Sequence, residues 1–336
     1  MKARAILAMA VVDLLAMVSA ASADSFGTDG NQFTIGFVTI SGSTNPTSGI
    51  PAGGGFAFTG VINDYRIGVY EIANGQWDKF KASLGVPVTG EPYYAYDSDP
   101  YFTGTNIPTN NVSWYEAAQF VNWLNTSTAH HAAYKFTGTQ GQSDYALATW
   151  DASKADNGTN LYRHKDAFYY LPTEDEWVKA AYWNGTDLQT YATKPGDTLH
   201  QGDGTSGTGW NYYDNGHATD SNSPWDVGSG SEELNGTFDM MGNVWDWVES
   251  PWSDTDYGTA SDRGLRGGCC WTDSYVTGLP STVRYDHSTP YYASFGVGFR
   301  VAAEVPEPAT LALLALGGLA VMRRSLKRRQ TGRLRA

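Results

Sequence analysis

Two adjacent cysteines, Cys269 and Cys270, are the residues best suited to redox or soft-metal chemistry, and they are the only cysteines among the 336 residues. A thiolate is both a nucleophile and a ligand for soft metal ions. Three interpretations are open: two buried small hydrophobic side chains, a vicinal disulfide or a bond to another chain in an oxidising compartment, or a metal or redox site. If the segment is a strand, the two side chains point to opposite faces, so they can share one metal ion only with local distortion.

The sequence contains none of the common catalytic motifs built on other residue types. It has no G-x-x-x-x-G-K-[ST] phosphate-binding loop, no G-x-S-x-G nucleophile elbow and no H-E-x-x-H zinc motif. Neighbouring carboxylates such as Glu232 and Glu233 are frequent in so acidic a chain, so they do not identify a glycosidase pair. Candidate chemistry therefore depends on the cysteine pair and on the elements that position it.

The charge of the chain is distributed unevenly. Residues 24–308 contain 13 basic and 34 acidic residues, a net formal charge of −21, whereas seven basic residues follow position 322. Nucleic-acid binding depends on lysine and arginine neutralising phosphates, so this acidic body excludes a nucleic-acid partner and is compatible with calcium. The 38 glycines and the aromatic content of 14% exclude a disordered chain and a helical bundle.

Three helices and several short strands are predicted from local signals. Ser113–Glu116 and Thr173–Glu176 are capping boxes, in which the hydroxyl accepts a hydrogen bond from the N3 amide and the glutamate accepts one from the N-cap amide. Asn74 is predicted to cap a third helix. The sequence also predicts strands at Tyr65–Ile72, Tyr145–Leu147, Val244–Val248, Leu265–Trp271 and Gly298–Val301.

Six short motifs occur in order along the chain. They are Tyr65-Arg66-Ile67-Gly68 with Tyr70-Glu71-Ile72, Asn111-Val112-Ser113-Trp114-Tyr115-Glu116-Ala117, Leu171-Pro172-Thr173-Glu174-Asp175-Glu176-Trp177, Gly242-Asn243-Val244-Trp245-Asp246-Trp247, Arg266-Gly267-Gly268 and Gly298-Phe299-Arg300. Together, over residues 33–303, they resemble the formylglycine-generating enzyme (sulfatase-modifying factor) family. The resemblance implies an α+β fold related to the C-type lectin fold, with little regular secondary structure, mixed short strands and a few helices.

The sequence departs from this family where the chemistry of its best-known members takes place. Those enzymes oxidise a substrate cysteine to formylglycine with two copper-binding cysteines, and the matching positions here are Thr272 and Thr277. Threonine lacks the soft thiolate that selects Cu(I), and Cys269 stands where the family has a serine. We therefore expect no copper cofactor and no catalytic residue at these positions, with Cys269 and Cys270 as the substitutes that remain.

The same resemblance implies a calcium site around the Gly-Asn-x-Trp motif. The matching ligands are the side chains of Asp239 and Asp246 and the carbonyls of Gly242 and Val244. Asp246 replaces the family's usual glutamate, and this mixture of carboxylates and carbonyls suits Ca²⁺. The alternative is that both aspartates only cap turns in a tryptophan-rich core. A weaker second calcium site maps onto Asn211, Tyr212, Asp220 and Asn222.

Both ends of the chain predict export. Residues 1–23 have the pattern of a signal peptide, with Ala21-Ser22-Ala23 as the site for signal peptidase. Residues 305–336 resemble a PEP-CTERM sorting tail, in which Pro306-Glu307-Pro308 precedes an apolar run over 309–322 and a basic end. That resemblance implies a transient transmembrane segment, cleavage by an exosortase, and a final place at the cell surface or in the extracellular matrix of a Gram-negative-type bacterium. Residues 24–304 are then the sulfatase-modifying factor domain.

Two functions are compatible with these observations. In the first, the protein is an exported, surface-sorted, non-catalytic module that binds an extracellular saccharide or protein or has a structural role, because both copper cysteines are missing. In the second, it is an oxidase of the formylglycine-generating type, or a related metal-dependent oxidase, with a site shifted to Cys269 and Cys270.

Overall fold

The structure is a computed structural model of the chain, and it describes residues 22–51, 55–84, 100–139, 144–219, 222–253, 256–271, 276–284 and 286–306. The chain divides into two compact units, Met1–Glu304 and Val305–Ala336. In the second unit, only residues 305 and 306 are described. The described residues form the α+β fold that the sequence predicts, with three α-helices and fifteen short strands.

The helices are α1 (Asn74–Ser83), α2 (Trp114–Ser127) and α3 (Glu174–Tyr182). The strands are β1 (Ser22–Phe26), β2 (Phe33–Ile40), β3 (Ile50–Pro51), β4 (Ala57–Phe58), β5 (Tyr65–Gly68), β6 (Lys135–Thr137), β7 (Ala146–Ala148), β8 (Ala155–Asp156), β9 (Asn160–His164), β10 (Tyr169–Tyr170), β11 (Trp245–Pro251), β12 (Arg263–Arg266), β13 (Asp286–Ser288), β14 (Val297–Gly298) and β15 (Ala302–Glu304). All strands except β2 and β11 have five residues or fewer.

A five-stranded sheet with the order β1-β2-β5-β15-β10 joins distant parts of the domain. All of its strand pairs are antiparallel. The aromatic and β-branched residues of β2 suit a pleated surface of this kind. Because β1 begins at Ser22, the predicted cleavage after Ala23 falls within this strand. Next to that position, the Asp24 carboxylate binds the buried Arg66 guanidinium at 2.8 Å.

A four-stranded sheet with the order β13-β12-β11-β14 carries three of the six sequence motifs. Strand β11 pairs antiparallel with β12 and parallel with β14. Asp246 on β11 therefore lies opposite Arg266 on β12 and beside Gly298 on β14. Strand pairing thus brings together three motifs that are separate in the sequence, and the paired Asp246 and Gly298 are 52 positions apart.

Both predicted capping boxes are present. At the start of α2, the Ser113 hydroxyl accepts a hydrogen bond from the Glu116 amide at 3.2 Å, and the Glu116 carboxylate accepts one from the Ser113 amide at 2.7 Å. Thr173 and Glu176 make the same pair of bonds at the start of α3. These contacts close within one helical turn, which is why the local sequence predicts them.

Helix α1 begins one residue earlier than predicted. Asn74 is its first residue and Ala73 is the N-cap, so the prediction that Asn74 caps the helix was wrong. The Asn74 side chain instead donates to the carbonyls of Phe102 and Gly104 at 2.9 and 3.1 Å. The Asn74 side chain, which was expected to cap the helix, therefore forms tertiary hydrogen bonds instead.

Two clusters of buried hydrophobic residues form the core of the domain. One surrounds Phe120 on α2, where the rings of Trp77 and Phe299 lie at centroid distances of 5.7 and 5.4 Å. The other surrounds Trp177 on α3 and includes Val248 of β11. Since Trp245 and Trp247 belong to the first cluster, β11 contributes to both, and its position is fixed from two sides.

The strand predicted at Leu265–Trp271 lies earlier in the chain, as β12. Gly267 and Gly268 follow it with φ values of +95° and +79°, a left-handed backbone conformation that ends the strand. The two cysteines therefore lie in an irregular segment, and the prediction of a strand at this position was wrong. The strand predicted at Gly298–Val301 is divided between β14 and β15.

The predicted end segments fall largely outside the described residues. Residues 1–21, which make up most of the predicted signal peptide, lie outside the described residues, and so does the whole apolar run over 309–322. Across the described ranges, no helix combines the length and apolar character needed to cross a membrane.

Candidate functional site

A buried glutamate from a distant part of the chain holds the Gly-Asn-x-Trp motif. Gly242 and Asn243 have φ values of +97° and +59° and turn the chain just before β11. Glu71 accepts hydrogen bonds from the Asn243 side chain at 2.8 Å and from the Val244 amide at 3.1 Å. A Cβ at position 242 would lie 2.1 Å from the Asn211 carbonyl oxygen, so only glycine fits there.

Asp246 on β11 is directed towards the last motif of the series. Its Oδ2 accepts hydrogen bonds from Arg300 Nε at 2.5 Å and from Trp177 Nε1 at 2.9 Å. All three side chains are buried. The other oxygen, Asp246 Oδ1, has no hydrogen-bond partner among the described residues. One carboxylate thus joins α3, β11 and the Gly-Phe-Arg motif and keeps one oxygen available.

Four buried carboxylates interact with the single guanidinium of Arg300, and we call these five residues the one-arginine cluster: Glu71, Glu233, Asp239, Asp246 and Arg300. Burial raises the pKa of Glu233 to about 8 and that of Asp239 to about 6. Burial also raises the pKa of Glu71 and Asp246, and for Glu71 the neighbouring carboxylates add to the effect. One guanidinium does not balance four carboxylates, so this interior favours binding either protons or a cation.

Two of the predicted calcium ligands, Asp239 and Asp246, belong to this cluster and offer carboxylate oxygens, which are the ligand atoms that Ca²⁺ binds. Asp239 Oδ2 accepts a hydrogen bond from the Gly228 amide at 2.7 Å, and Asp246 has its unbonded Oδ1. Within the described part of the chain, no three His, Cys, Asp or Glu side chains converge as ligands of one metal ion. An ion at this position would therefore need backbone oxygens as well, such as the carbonyls of Gly242 and Val244 that the family resemblance implies.

The weaker second site is described only in part. The Asn211 carbonyl accepts a hydrogen bond from the Asn243 amide at 2.8 Å, and the Asn211 side chain donates to Asn243 Oδ1 at 3.2 Å. The Tyr212 carbonyl accepts one from a glutamine side chain at 2.6 Å. Asn222 is exposed, with a φ of +42°, and Asp220 lies outside the described residues. In this structure, Asn211 positions the turn before β11.

Cys269 and Cys270 are buried thiols and form no disulfide. Cys269 belongs to the hydrophobic cluster around Phe120. Burial raises the pKa of Cys270 well above its ordinary value, and its amide donates to the Asn243 carbonyl at 3.0 Å. A buried, protonated thiol is a weak nucleophile and a weak metal ligand. Burial is a feature of the first of the three interpretations, two buried small side chains, and all three stay predictions.

Of the two positions that match the family's copper cysteines, the structure describes only Thr277. Thr277 is exposed and lies in a short 3₁₀ turn, Val276–Gly278. Thr272 lies outside the described residues. The Val276 amide donates to the Tyr213 carbonyl at 3.0 Å, which holds this turn against the segment that follows Tyr212.

A group of aromatic rings that no sequence motif marks includes Trp271, the residue directly after the cysteines. The Trp271 ring lies between the rings of His217 and Phe295, at centroid distances of 5.9 and 4.9 Å. Phe295 in turn lies 5.3 Å from Tyr101 and 6.2 Å from Phe102. We call these five residues the aromatic cluster. They come from four separate segments, so no local pattern identifies them.

The aromatic cluster connects the buried thiols with the surface. His217 Nδ1 lies 3.0 Å from the Cys270 carbonyl oxygen. At the other end, the side chain of Tyr101 is 65% exposed. Tyr291 and Tyr292, in the segment that leads to Phe295, are 43% and 44% exposed. The only sequence signal for this surface was the high aromatic content of the chain.

Solved structures with the same fold are distant from this chain in sequence. Treponema denticola variable protein 1 has a TM-score of 0.56 and 18% identity, covering 85% of this chain and 99% of that chain. CarF has a TM-score of 0.55 and 23% identity, with coverages of 81% and 98%. PvdO from Pseudomonas aeruginosa has a TM-score of 0.50 and 17% identity, with coverages of 84% and 98%. These similarities establish the fold alone, and no curated protein matches the sequence.

Two family models match the chain directly. The model of the sulfatase-modifying factor enzyme 1-like domain matches residues 51–305, which is more than half of the chain. The model of the PEP-CTERM protein-sorting motif matches residues 304–329, which indicates export, sorting to the cell surface and processing by an exosortase. Both resemblances and the fold class inferred from the sequence are confirmed. The protein therefore belongs to the sulfatase-modifying factor enzyme 1-like domain family and carries a PEP-CTERM sorting motif.

Proposed function

We propose that this exported protein is a binding module that lacks the oxidase chemistry of the formylglycine-generating enzymes. The observation that carries the proposal is the aromatic cluster, which includes Trp271, the residue directly before the first position that matches the family's copper cysteines. Its rings are packed against one another and extend to the exposed Tyr101. Rings held in this way form a contact surface that loses little conformational entropy when a ligand binds.

The same region offers little support for copper chemistry. Thr277 presents a hydroxyl, which is a hard and poorly acidic group, in place of a thiolate. The raised pKa of Cys270 keeps its thiol protonated at neutral pH, and its burial limits access to a substrate. These features favour the binding module over the alternative of an oxidase with a shifted site.

The ligand that we expect is an extracellular saccharide or protein. Tyrosine and tryptophan provide a large contact area, and a tyrosine hydroxyl adds a hydrogen bond at the rim of that area. Tyr101, Tyr291 and Tyr292 present such side chains to solvent. The net charge of −21 over residues 24–308 makes a nucleic-acid ligand unfavourable.

We propose that calcium stabilises the module and takes no part in a reaction. The side chains of Asp239 and Asp246 would hold it, together with the carbonyls of Gly242 and Val244. A bound cation would offset the excess negative charge of the one-arginine cluster. It would also tie the Gly-Asn turn to the first residues of β11.

We also propose the route by which the domain reaches its site of action. Signal peptidase would cleave after Ala23, and an exosortase would cleave near Pro306-Glu307-Pro308 while the apolar run holds the chain transiently in the membrane. The domain would then remain at the cell surface or in the extracellular matrix. The first mature residue, Asp24, accepts hydrogen bonds from Arg66 and from the Tyr169 hydroxyl, each at 2.8 Å. These contacts would keep β1 anchored after cleavage.

The test measures how much fluorescently labelled protein is retained by cells and matrix of the producing bacterium from which its gene has been deleted. We expect the wild-type protein to be retained. The double variant Tyr101→Ala with Tyr292→Ala should reduce retention by about tenfold or more, because exposed aromatic contacts dominate such interfaces. Ile62→Ala removes an apolar side chain that is 84% exposed outside the aromatic cluster, and it should bind like the wild type.

Equal retention of all three proteins would contradict the assignment of the aromatic cluster. A parallel assay addresses the oxidase alternative: the protein is incubated with Cu(I), oxygen and a sulfatase-type cysteine peptide, and the aldehyde is sought by mass spectrometry. We expect no aldehyde. Copper-dependent conversion that disappears in Cys269→Ser or Cys270→Ser would establish the shifted oxidase site instead.

A further inference from the structure

A cleft of about 760 Å³ opens beside the C-terminal end of helix α3. It is lined by residues of β2, by Tyr70 after β5, by the residues that end α3 and by the loop over 232–238. None of its lining residues belongs to the aromatic cluster or to the predicted calcium ligands. Its volume lies in the range of roughly 300–1,000 Å³ that is typical of small-ligand sites.

A half-exposed aromatic ring forms one wall of the cleft. The Tyr70 side chain is 39% exposed, and its ring centroid lies 5.3 Å from that of Phe238. The ring also packs on the backbone of Gly228, where an added Cβ would lie 2.4 Å from Tyr70 Cε1. The Phe238 amide donates to the Val69 carbonyl at 2.9 Å, which ties this wall to the end of β5. The ring is therefore held in place before any ligand arrives.

Uncharged polar groups face the cleft around this ring. Among the described residues, Thr39 Oγ1, Asn184 Nδ2 and Asn235 Oδ1 have no hydrogen-bond partner, although all three residues line the cleft. The Asn235 Nδ2 group donates to the Ala180 carbonyl at 2.9 Å, so the orientation of the free amide oxygen is fixed. The cleft thus offers a hydroxyl, an amide donor and an amide acceptor to a ligand.

The cleft has few charged side chains, although the body of the protein is strongly acidic. Only two of its lining residues are charged, Lys179 and Glu232. Lys179 Nζ donates to Asn45 Oδ1 at 2.9 Å and to the Val61 carbonyl at 2.8 Å. Glu232 forms an ion pair with Lys194 at 2.7 Å. The buried Lys179 ammonium is directed at its two acceptors and Glu232 is already paired, so the lining suits a neutral ligand better than an ionic one.

We propose that this cleft binds a segment of a neutral oligosaccharide. A pyranose ring has an apolar face of C–H groups, which can stack on Tyr70, and a rim of hydroxyl groups, which both donate and accept hydrogen bonds. The unpartnered groups of Thr39, Asn184 and Asn235 match such a rim in chemistry and in lack of charge. This site is separate from the aromatic cluster and does not depend on the function proposed for it.

The experiment measures the binding of the purified full-length protein to five neutral tetrasaccharides by isothermal titration calorimetry: cellotetraose, laminaritetraose, maltotetraose, mannotetraose and chitotetraose. At least one should bind, and the Tyr70→Ala variant should weaken that binding by about tenfold or more, whereas Tyr70→Phe, which keeps the ring, should weaken it by less than about threefold. Asn184→Ala, at an exposed position, is a second variant that should weaken binding, and circular dichroism checks its folding because it also removes the acceptor of the Thr186 and Asp187 amides. Tyr101→Ala is the matched control, since it removes an exposed tyrosine outside the cleft.

Four results would overturn the inference. Three of them are no binding of any neutral tetrasaccharide at millimolar concentration, binding that Tyr70→Ala and Asn184→Ala leave unchanged, and tighter binding of a charged tetrasaccharide such as oligogalacturonate. Loss of binding in Tyr101→Ala but not in Tyr70→Ala would also overturn it, and would instead place the saccharide on the aromatic cluster. Retention on cells that depends on Tyr101 tests the proposed function separately, so the two proposals can fail independently.

Discussion

Two buried clusters of charged residues, both in contact with helix α3, differ in their balance of charge. In the first, which we call the two-arginine cluster, the Glu174 carboxylate lies between the guanidinium groups of Arg266 and Arg284. In the second, the one-arginine cluster, four carboxylates share Arg300. Since both are buried, the difference indicates which cluster is complete by itself and which one needs a further positive charge.

Most polar atoms of the two-arginine cluster have partners within the protein. Arg266 Nε and Arg284 Nε donate to Glu174 Oε1 at 2.7 and 2.9 Å, and Arg284 Nη2 donates to Oε2 at 2.7 Å. Arg266 Nη1 and Arg284 Nη1 donate to the carbonyls of Val283 and Trp252 at 2.7 Å each, and Arg266 Nη2 lies 2.5 Å from Glu174 Oε1. Glu174 of one sequence motif and Arg266 of another are therefore partners in the structure.

The one-arginine cluster has an excess of negative charge. Asp246 Oδ1 and Glu233 Oε1 have no hydrogen-bond partner among the described residues. The raised pKa values of Glu233 and Asp239 show that part of this excess is relieved by protons at neutral or mildly acidic pH. A cation would relieve it at higher pH. The comparison thus distinguishes a structural ion cluster from a candidate cation-binding site. Three experiments test this distinction.

The largest expected effect is in the two-arginine cluster. Glu174→Ala leaves two buried guanidinium groups without a carboxylate, so the free energy of unfolding should fall by about 3–5 kcal/mol. The matched control is Glu232→Ala, which removes an exposed partner of Lys194 and should cost about 1 kcal/mol or less. Urea denaturation of the purified protein measures both changes. A Glu174→Ala variant as stable as Glu232→Ala would contradict the view that this cluster is structural.

An intermediate effect is expected from calcium at the one-arginine cluster. A ligand that binds only the folded state stabilises it by about 2.7 kcal/mol at 100 times its Kd. EDTA should therefore lower the melting temperature, and Asp246→Ala should abolish the difference between the calcium and EDTA samples. Asp187→Asn, an exposed carboxylate elsewhere, should retain the full difference. Melting curves of the wild type that coincide with and without EDTA would count against the site.

The smallest effect concerns the protons that the one-arginine cluster takes up. Burial raises the pKa of Glu233 from its ordinary value of 4.5 to about 8 in the folded protein. Between these values the folded state binds more protons than the unfolded state, so the free energy of unfolding falls as the pH rises. For one group, the decrease between pH 6 and pH 7 is at most about 1.4 kcal/mol.

Glu233→Gln should remove this contribution. Denaturation in EDTA at pH 6 and pH 7 would then show a smaller loss of stability for the variant than for the wild type. The exposed Glu232→Gln variant is the control, and it should follow the wild type. A pH dependence that Glu233→Gln leaves unchanged would show that another group takes up the proton.

Local sequence was sufficient where interacting groups lie within one turn of helix. Ser113 with Glu116, and Thr173 with Glu176, form the predicted capping boxes because their partners are three residues apart. The order of the six motifs was sufficient to identify the family and therefore the fold. The absence of thiols at the family's copper positions was also readable from the sequence, because it depends on residue type alone.

Only the tertiary structure decided which distant groups became partners. Glu71 reaches Asn243 across 172 positions, Asp246 selects Arg300 rather than another arginine, and the cysteines are buried because two left-handed glycines end β12 before them. The aromatic cluster and the neutral cleft likewise assemble from separate segments. The physical reason is that burial makes a counter-charge or a hydrogen-bond partner necessary but does not specify which one. The packing of the strands and helices makes that choice, and it also determines which carboxylates are left in excess.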